Sequence, residues 1–263
     1  VKRPDERPLD FFKTNFDVSE WNDIKVPANW QTEGVDSYIF TDVEYPIPVN
    51  PPFVPKDFNP VGSYKKEFEL PANWKGKNVF IHLGAVNSFF YLWINNNYVG
   101  FSKDSKTPAE FNITDYLLPS KNSVSLQVFR FSDGTYLEGQ DMWKLSGIER
   151  GISLIARPKI AISDFFVKAG LDSNYQNGTF DLNIQISQAP ANTKQSLLVK
   201  VIDDATGKIV FSQKEKLNKT RFHFQSSIDK VRKWNAETPN LYTLVIIHTD
   251  EKGKTIEAVA HKI

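Results

Sequence analysis

The stretch Phe89-Phe90-Tyr91-Leu92-Trp93-Ile94, followed by Asn95-Asn96-Asn97 and then Tyr98-Val99-Gly100-Phe101, decides the fold class. Its first six residues are apolar on both faces, as the central strand of a sandwich would be. The three asparagines tolerate positive φ and supply a turn, and Tyr98–Phe101 returns as the second arm of a hairpin. Moving outward, Tyr64, Phe68 and Leu70 alternate with Lys65, Glu67 and Glu69, which gives one wet face and one dry face. Val79–Leu83, Ser123–Phe131 and Ile152–Ile155 read as further strands, and Arg157-Pro158 punctuates the chain.

Beyond that point the alternation is stricter. Phe180, Leu182, Ile184 and Ile186 take turns with Asp181, Asn183, Gln185 and Ser187. About seven strands fit between Ile160 and Ile263, the spacing of an immunoglobulin-like sandwich. The clearest of the others are Leu197–Ile202, Ile209–Phe211, Arg221–Ser226, Tyr242–His248 and Thr255–His261. The expectation is therefore an all-β protein of two sandwiches, one over residues 1–158 and one over 159–263. Between the short extended piece Lys25–Gln31 and the first sandwich strands lies Tyr45-Pro46-Ile47-Pro48-Val49-Asn50-Pro51-Pro52-Phe53-Val54-Pro55. Prolines at this density remove ladder donors and fix φ. Tyr45, Ile47, Val49, Phe53 and Val54 are apolar enough to predict a rigid strap packed across a sheet.

Composition removes several function classes. The 32 Lys and Arg against 31 Asp and Glu leave a net charge of +1, without the basic surplus that phosphate neutralisation needs, so nucleic acid is not an expected partner. Zero Cys excludes a disulfide framework, a thiolate metal site and a cysteine nucleophile. No run of about 18 apolar residues is present to form a membrane-spanning helix, and a membrane partner is not expected either. Gly253-Lys254-Thr255 resembles the end of a phosphate-binding loop, but His248 occupies the place of its first glycine. His82, His223, His248 and His261 all fall on predicted strands without metal-ligand spacing, and no carboxylate pair stands out as catalytic. The chain opens on Val1 and closes on Ala260-His261-Lys262-Ile263, a strand still running, and reads as a piece of something longer. Compartment stays open between cytoplasm and periplasm.

Two stretches look constrained. Asn87 precedes the doubly covered strand, so its amide can point from a sheet end with donors and acceptors free, although an asparagine capping a turn fits equally well. Phe131 to Arg150 is a long loop of carboxylates, amides and aromatics, and loops of that length are usually functional. Within it, Asp141 beside Trp143 pairs an anionic acceptor with an aromatic platform, a combination suited to sugar hydroxyls and C–H faces. A surface turn aspartate is an equal alternative. A contrasting expectation is an autonomous carbohydrate-binding module, in which Trp93, Trp143, Tyr136 and Tyr98 form one exposed platform. A third is a purely structural surface whose aromatics serve assembly.

The motifs, taken together and in order, resemble the amino-terminal part of the large β-galactosidases of glycoside hydrolase family 2. They are Val26-Pro27-Ala28-Asn29-Trp30-Gln31, the proline strap, Val86-Asn87-Ser88, Asp104-Ser105 with Pro108-Ala109-Glu110-Phe111, and Ser132-Asp133-Gly134. Tyr136-Leu137-Glu138, Gln140-Asp141-Met142-Trp143 and Ser146-Gly147-Ile148 follow, then Ile162-Ser163-Asp164-Phe165 and Trp234-Asn235-Ala236-Glu237-Thr238-Pro239-Asn240-Leu241-Tyr242. The resemblance implies a jelly-roll sugar-binding domain, an immunoglobulin-like domain and, further on, a catalytic (β/α)₈ barrel holding both catalytic glutamates. It implies that Asn87 and Asp141 reach a galactose pocket and hydrogen-bond sugar hydroxyls, and that Asp141 also ligates Na+. Mg2+ would belong to the barrel alone, with nothing bound tightly here. The implied partners are a β-galactoside, the chain's own barrel, and further copies in a homo-oligomer of the full-length protein. A β-glucuronidase or β-mannosidase of the same domain plan is the alternative. The family's opening strand (Leu-Asn-Gly-x-Trp-x-Phe) is absent, and a missing edge strand would leave backbone groups open to chain–chain pairing.

Overall fold

The computed structural model describes residues 1–188 and 194–263. They form two compact units, Val1–Ala156 and Arg157–Ile263. Both are β-sandwiches, and the helices among the described residues are 3-10 turns of three to five residues.

In the first unit, a four-stranded antiparallel sheet runs in the order Val61–Phe68, Asn122–Phe129, Phe89–Ile94, Asn97–Ser102. A three-stranded sheet, in the order Ile152–Arg157, Asn78–Leu83, Ala109–Asn112, packs against it. The all-β, jelly-roll expectation holds. Phe90, Leu92 and Ile94 enter the core and meet Val79, Ile81 and Leu83 from the opposite sheet. Phe89, Tyr91 and Trp93 face the other way, and the chain covers them too. The Phe12 ring stacks on Trp93 at 5.2 Å, and the buried Phe11 meets it edge-on at 5.4 Å. That second layer explains a strand that is apolar on both faces.

Asn95 and Asn96 take φ of 47° and 71°, so the predicted hairpin turn is present. Asn95 does more than turn the chain. Its side-chain amide donates to Asn122 Oδ1 (2.7 Å) and the Tyr116 carbonyl (2.8 Å), while its Oδ1 accepts the Ser123 N–H (2.8 Å). The Val61–Phe68 strand stands at a sheet edge. At its start, Val61 exchanges backbone hydrogen bonds with Val1 (2.9 and 3.1 Å).

The proline strap corrects one expectation. Ile47 is buried, but Val49 and Phe53 are largely exposed, so the strap is not packed down along its whole length. Apolar composition alone does not dictate burial, since apolar atoms make up more than half of a typical folded surface. One phenol meets several of its main-chain groups. The Tyr136 hydroxyl accepts the Asn50 N–H (3.2 Å) and lies 2.9 Å and 2.7 Å from the Pro48 and Phe53 carbonyl oxygens. The strap is thereby anchored to the Phe131–Arg150 segment.

The second unit packs Ile162–Leu171, Gly178–Ile186 and Arg221–Ile228 as one sheet. Its other sheet runs Ile209–Lys216, Ser196–Asp203, Tyr242–Thr249, Thr255–Lys262. These seven strands make the immunoglobulin-like sandwich that the spacing predicts. Phe180, Leu182, Ile184 and Ile186 all point inward against Leu197, Val199, Val201, Leu244 and Ile246.

His248 sits on this core, 1% exposed. Its Nε2 is 2.9 Å from Gln195 Oε1, and its Nδ1 is buried without a partner. Burial pushes its pKa below the ordinary histidine value, so between the two values the folded unit holds it neutral while the unfolded chain takes up a proton. Its contribution to stability is complete above an unfolded pKa of about 6.5 and is lost as pH falls through the lower folded value. The expected slope reaches at most about 1.4 kcal/mol per pH unit, one proton's worth. Urea unfolding of wild type and His248→Gln from neutral pH downward checks this, because the variant should lose that part of the acid dependence. Identical pH slopes for the two proteins would refute it.

Candidate functional site

Two short ladders build a pocket on the first unit. Ala28–Asn29 pairs with Gly147–Ile148, which pairs in turn with Val86–Asn87. Met142–Trp143 pairs with Phe40–Thr41. Thus residues far apart in the chain, from Val26–Gln31, Val86–Ser88 and Gln140–Ile148, are fixed side by side. Gly147 is required in this arrangement. Its φ is +123°, and a Cβ there would lie 2.8 Å from the Ala28 carbonyl oxygen.

The Phe131–Arg150 segment is accordingly not a free loop. It opens with a 3-10 turn over Asp133–Leu137, in which Ser132 and Thr135 cap each other. Lys144 then gathers the middle: its ammonium bonds the carbonyls of Glu138 (3.2 Å) and Gln140, and its N–H donates to the Ile39 carbonyl (2.8 Å). The Ser146 N–H donates to Gln31 Oε1 (3.0 Å). Beneath lies Arg130, among the largest fully buried side chains, which bonds Asp36 (2.7 Å) and the Lys144 carbonyl (3.1 Å).

The resulting pocket has a volume of about 180 Å³, and Asn87 and Trp143 both line it. Asn87 is half-buried, and the peptide bond to Ser88 is cis. Trp143 is 54% exposed, with Tyr38 and Phe40 edge-on at 5.7 and 5.4 Å. Asp141 is exposed; its neighbours Gln140 and Met142 line the pocket, whereas its own side chain does not. The structure therefore brings two of the three predicted residues together and leaves the third on the adjacent rim. The single aromatic platform is not assembled. Trp93 and Tyr98 pack together beside Phe12, Tyr136 packs on Tyr45, and Trp143 belongs to a separate group.

Ser105, Lys106, Arg130 and Glu138 are also among the residues that line the pocket. The Lys106 ammonium is paired with Glu149 (2.5 and 2.6 Å). Glu138 is half-buried; burial pushes its carboxyl above the ordinary glutamate value, against the opposing pull of the Ser105 hydroxyl and Lys106. No spacing rule singles these four out, although Ser105 and Glu138 stand inside motifs already noted. Among the described residues, no three His, Cys, Asp or Glu side chains cluster as a metal site. For a monovalent cation, Asp141 offers one exposed carboxylate.

Known proteins resemble the chain over nearly its whole length. The family description "Glycosyl hydrolases family 2, sugar binding domain" matches residues 5–158, and "Glycosyl hydrolases family 2" matches residues 160–263. A β-galactosidase of Priestia megaterium is 38% identical over 273 residues, covering 100% of this chain and 26% of that protein. One of Psychromonas ingrahamii is likewise 38% identical, over 99% of the chain and 26% of its own length. The chain thus spans about a quarter of the length of these curated relatives. Among solved structures, a Bacteroides uniformis β-glucuronidase superposes with a TM-score of 0.80 at 21% identity, over 99% of this chain and 31% of that one. A Bacteroides vulgatus β-glycosidase does so at 0.73 and 23%, over 97% and 31%. At such identities the likeness speaks for the fold.

Proposed function

Because the chain belongs to glycosyl hydrolases family 2, we propose that it is the amino-terminal, non-catalytic part of a retaining β-galactosidase that hydrolyses terminal β-D-galactosides. One observation carries the reading: Asn87 and Trp143 converge on one pocket, with Asp141 free on its rim. The galactoside in preference to a glucuronide or mannoside rests on the relatives that are 38% identical.

In this reading the chain binds and orients. The Asn87 amide offers both donors and an acceptor to sugar hydroxyls. Asp141 accepts from another hydroxyl in a charge-assisted bond. Trp143 presents an apolar face to sugar C–H groups. The bond-breaking step needs two carboxyl groups about 5–5.5 Å apart, an acid/base and a nucleophile, and these are assigned to a (β/α)₈ barrel outside this chain. Sodium would take the Asp141 carboxylate as one of its ligands and neutralise charge beside the sugar, with the remaining ligands drawn from outside this chain's side-chain clusters. Magnesium is assigned to the barrel, and homo-oligomerisation to the full-length protein.

Half a pocket binds weakly. Calorimetric titration of the isolated chain with galactose and with lactose should give Kd values above about 1 mM, less than roughly 4 kcal/mol of binding free energy. The exposed group of Trp143, Tyr38 and Phe40 favours a second reading, an autonomous carbohydrate-binding module. A Kd well below the millimolar range would select the module and reject the half-pocket.

A further inference from the structure

One end of the Arg157–Ile263 sandwich carries a hollow of about 220 Å³, and Leu171, Ile228, Val231, Trp234, Tyr242 and Ile263 are among the residues that line it. Trp234 is 63% exposed. The loop that carries it is nevertheless braced. The Arg232 N–H donates to the Tyr242 hydroxyl (2.8 Å), and the Arg232 guanidinium pairs with Asp203. The Asn240 side-chain amide donates to the Lys233 carbonyl (2.8 Å). Asn235 Oδ1 accepts both the Thr238 N–H (2.7 Å) and the Thr238 hydroxyl (2.8 Å), and Trp234 itself forms a bridge with Pro239. A tryptophan held out on a braced loop beside an apolar hollow has the form of an interface anchor.

The last strand points to what this anchor meets. The Ile263 N–H donates to the Tyr242 carbonyl and the Tyr242 N–H to the Ile263 carbonyl, both at 2.8 Å. This pair continues the register that sets Thr243 opposite Lys262 and Leu244 opposite His261. Val259 and Ile263 pack on the core, whereas Ala258, Ala260 and Lys262 are exposed. Side chains alternate along a strand and each residue advances about 3.3 Å, so a second residue past Ile263 would lie about 7 Å on and face the same way as Ile263. In that register it stands opposite Asn240, which also lines the hollow.

We propose that the hollow seats the polypeptide that follows Ile263 in the longer protein. The Thr255–Lys262 strand runs on past Tyr242, and the second residue after Ile263 sets a bulky apolar side chain against Trp234. That more polypeptide follows rests on the function proposed above, in which this chain is about a quarter of the whole; the fit of the hollow rests on the register and the lining alone.

The test compares the chain as it stands with two forms extended after Ile263, one by Thr-Phe-Thr and one by Thr-Asp-Thr. Hydrogen exchange of the slowest amides in Tyr242–Thr249 reports the stability of this unit. The Phe form should exchange at least about tenfold more slowly than the unextended chain, the lower end of what burying a phenylalanine supplies. The Asp form should stay within about threefold of the unextended chain. In Trp234→Ala the gain from the Phe extension should fall below about threefold. Phe and Asp extensions that behave alike, or a gain undiminished in Trp234→Ala, overturn the proposal. Sedimentation of the unextended chain as a dimer that Trp234→Ala dissociates would give the hollow to a second copy and overturn it as well. The gene, read two codons past that of Ile263, should specify a bulky apolar residue; a charged residue, a glycine or a stop there contradicts the proposal. Should that residue be apolar and the Phe form gain stability while the longer protein hydrolyses no β-galactoside, the proposed function falls and the seat stands.

Discussion

Replacing Arg130 with methionine is expected to cost the Val1–Ala156 unit about 3–5 kcal/mol, the usual consequence of removing one partner of a buried ion pair. The Arg130 side chain is 1% exposed and that of Asp36 11%, with 2.7 Å between them. Deleting the guanidinium leaves the Asp36 carboxylate, among the described residues, with the Gln31 amide (3.3 Å) and the Ser37 N–H (2.8 Å). The Lys144 carbonyl loses its donor as well. The pair is not an unmixed asset, because Arg130 Nε is itself buried without a partner. An Arg130→Met, Asp36→Leu double variant should therefore recover much of the loss. Urea unfolding followed by tryptophan fluorescence reads this unit selectively, since Trp21, Trp30, Trp74, Trp93 and Trp143 lie in it and Trp234 does not. A loss below about 1 kcal/mol, the scale of an exposed pair, would contradict the assignment. The effect should reach the pocket too, because the Lys144 carbonyl that Arg130 holds belongs to the segment that presents Asp141 and Trp143.

The second large effect is functional. In the longer protein proposed to carry this chain, Asp141→Ala should lower kcat/KM toward a β-galactoside by about 10- to 150-fold, equivalent to roughly 1.5–3 kcal/mol for a hydrogen bond to a charged group. The response to sodium should weaken in parallel. Asn87→Ala removes only neutral bonds, worth about 0.5–1.5 kcal/mol, and should cost up to about tenfold. Asp141 is exposed and its carboxylate has no hydrogen-bond partner among the described residues, so the melting temperature of the variant should match that of the wild type. Unchanged kcat/KM together with unchanged sodium dependence would remove Asp141 from the site.

Much of the fold was legible because period-2 patterning was physically enforced. Phe180, Leu182, Ile184 and Ile186 alternate since one face of their strand meets a second sheet and the other meets water. Phe89–Ile94 reads differently because its outer face is packed too, Trp93 against Phe11 and Phe12, and Phe89 and Tyr91 against Phe129, so the run is apolar throughout. The strap misled for the opposite reason: its apolar side chains suggest burial throughout, while Val49 and Phe53 are exposed and its main-chain groups meet the hydroxyl of Tyr136, distant in sequence. At the site, motif order pointed to Asn87 and Asp141, and the aromatic beside Asp141 pointed to Trp143. Their grouping into two on the pocket and one on the rim depends on the register of two-residue ladders, which no local pattern encodes. Glu138 stood out only as part of a motif, because its distinguishing property is partial burial in the pocket, and burial of a lone loop carboxylate leaves no periodic trace. Arg130 was hidden similarly: it falls inside the predicted Ser123–Phe131 strand, and no local pattern marks its charged side chain as buried.

The central claim is that this chain shapes a sugar site without performing the chemistry, and hydrolysis by the chain itself tests it most directly. Purified chain incubated with a chromogenic β-galactoside should release product no faster than a heat-denatured sample, with no saturation as substrate is raised. Saturable hydrolysis that heat abolishes would mean that the two sandwiches hold their own acid and nucleophile, and the division of labour proposed here would be wrong.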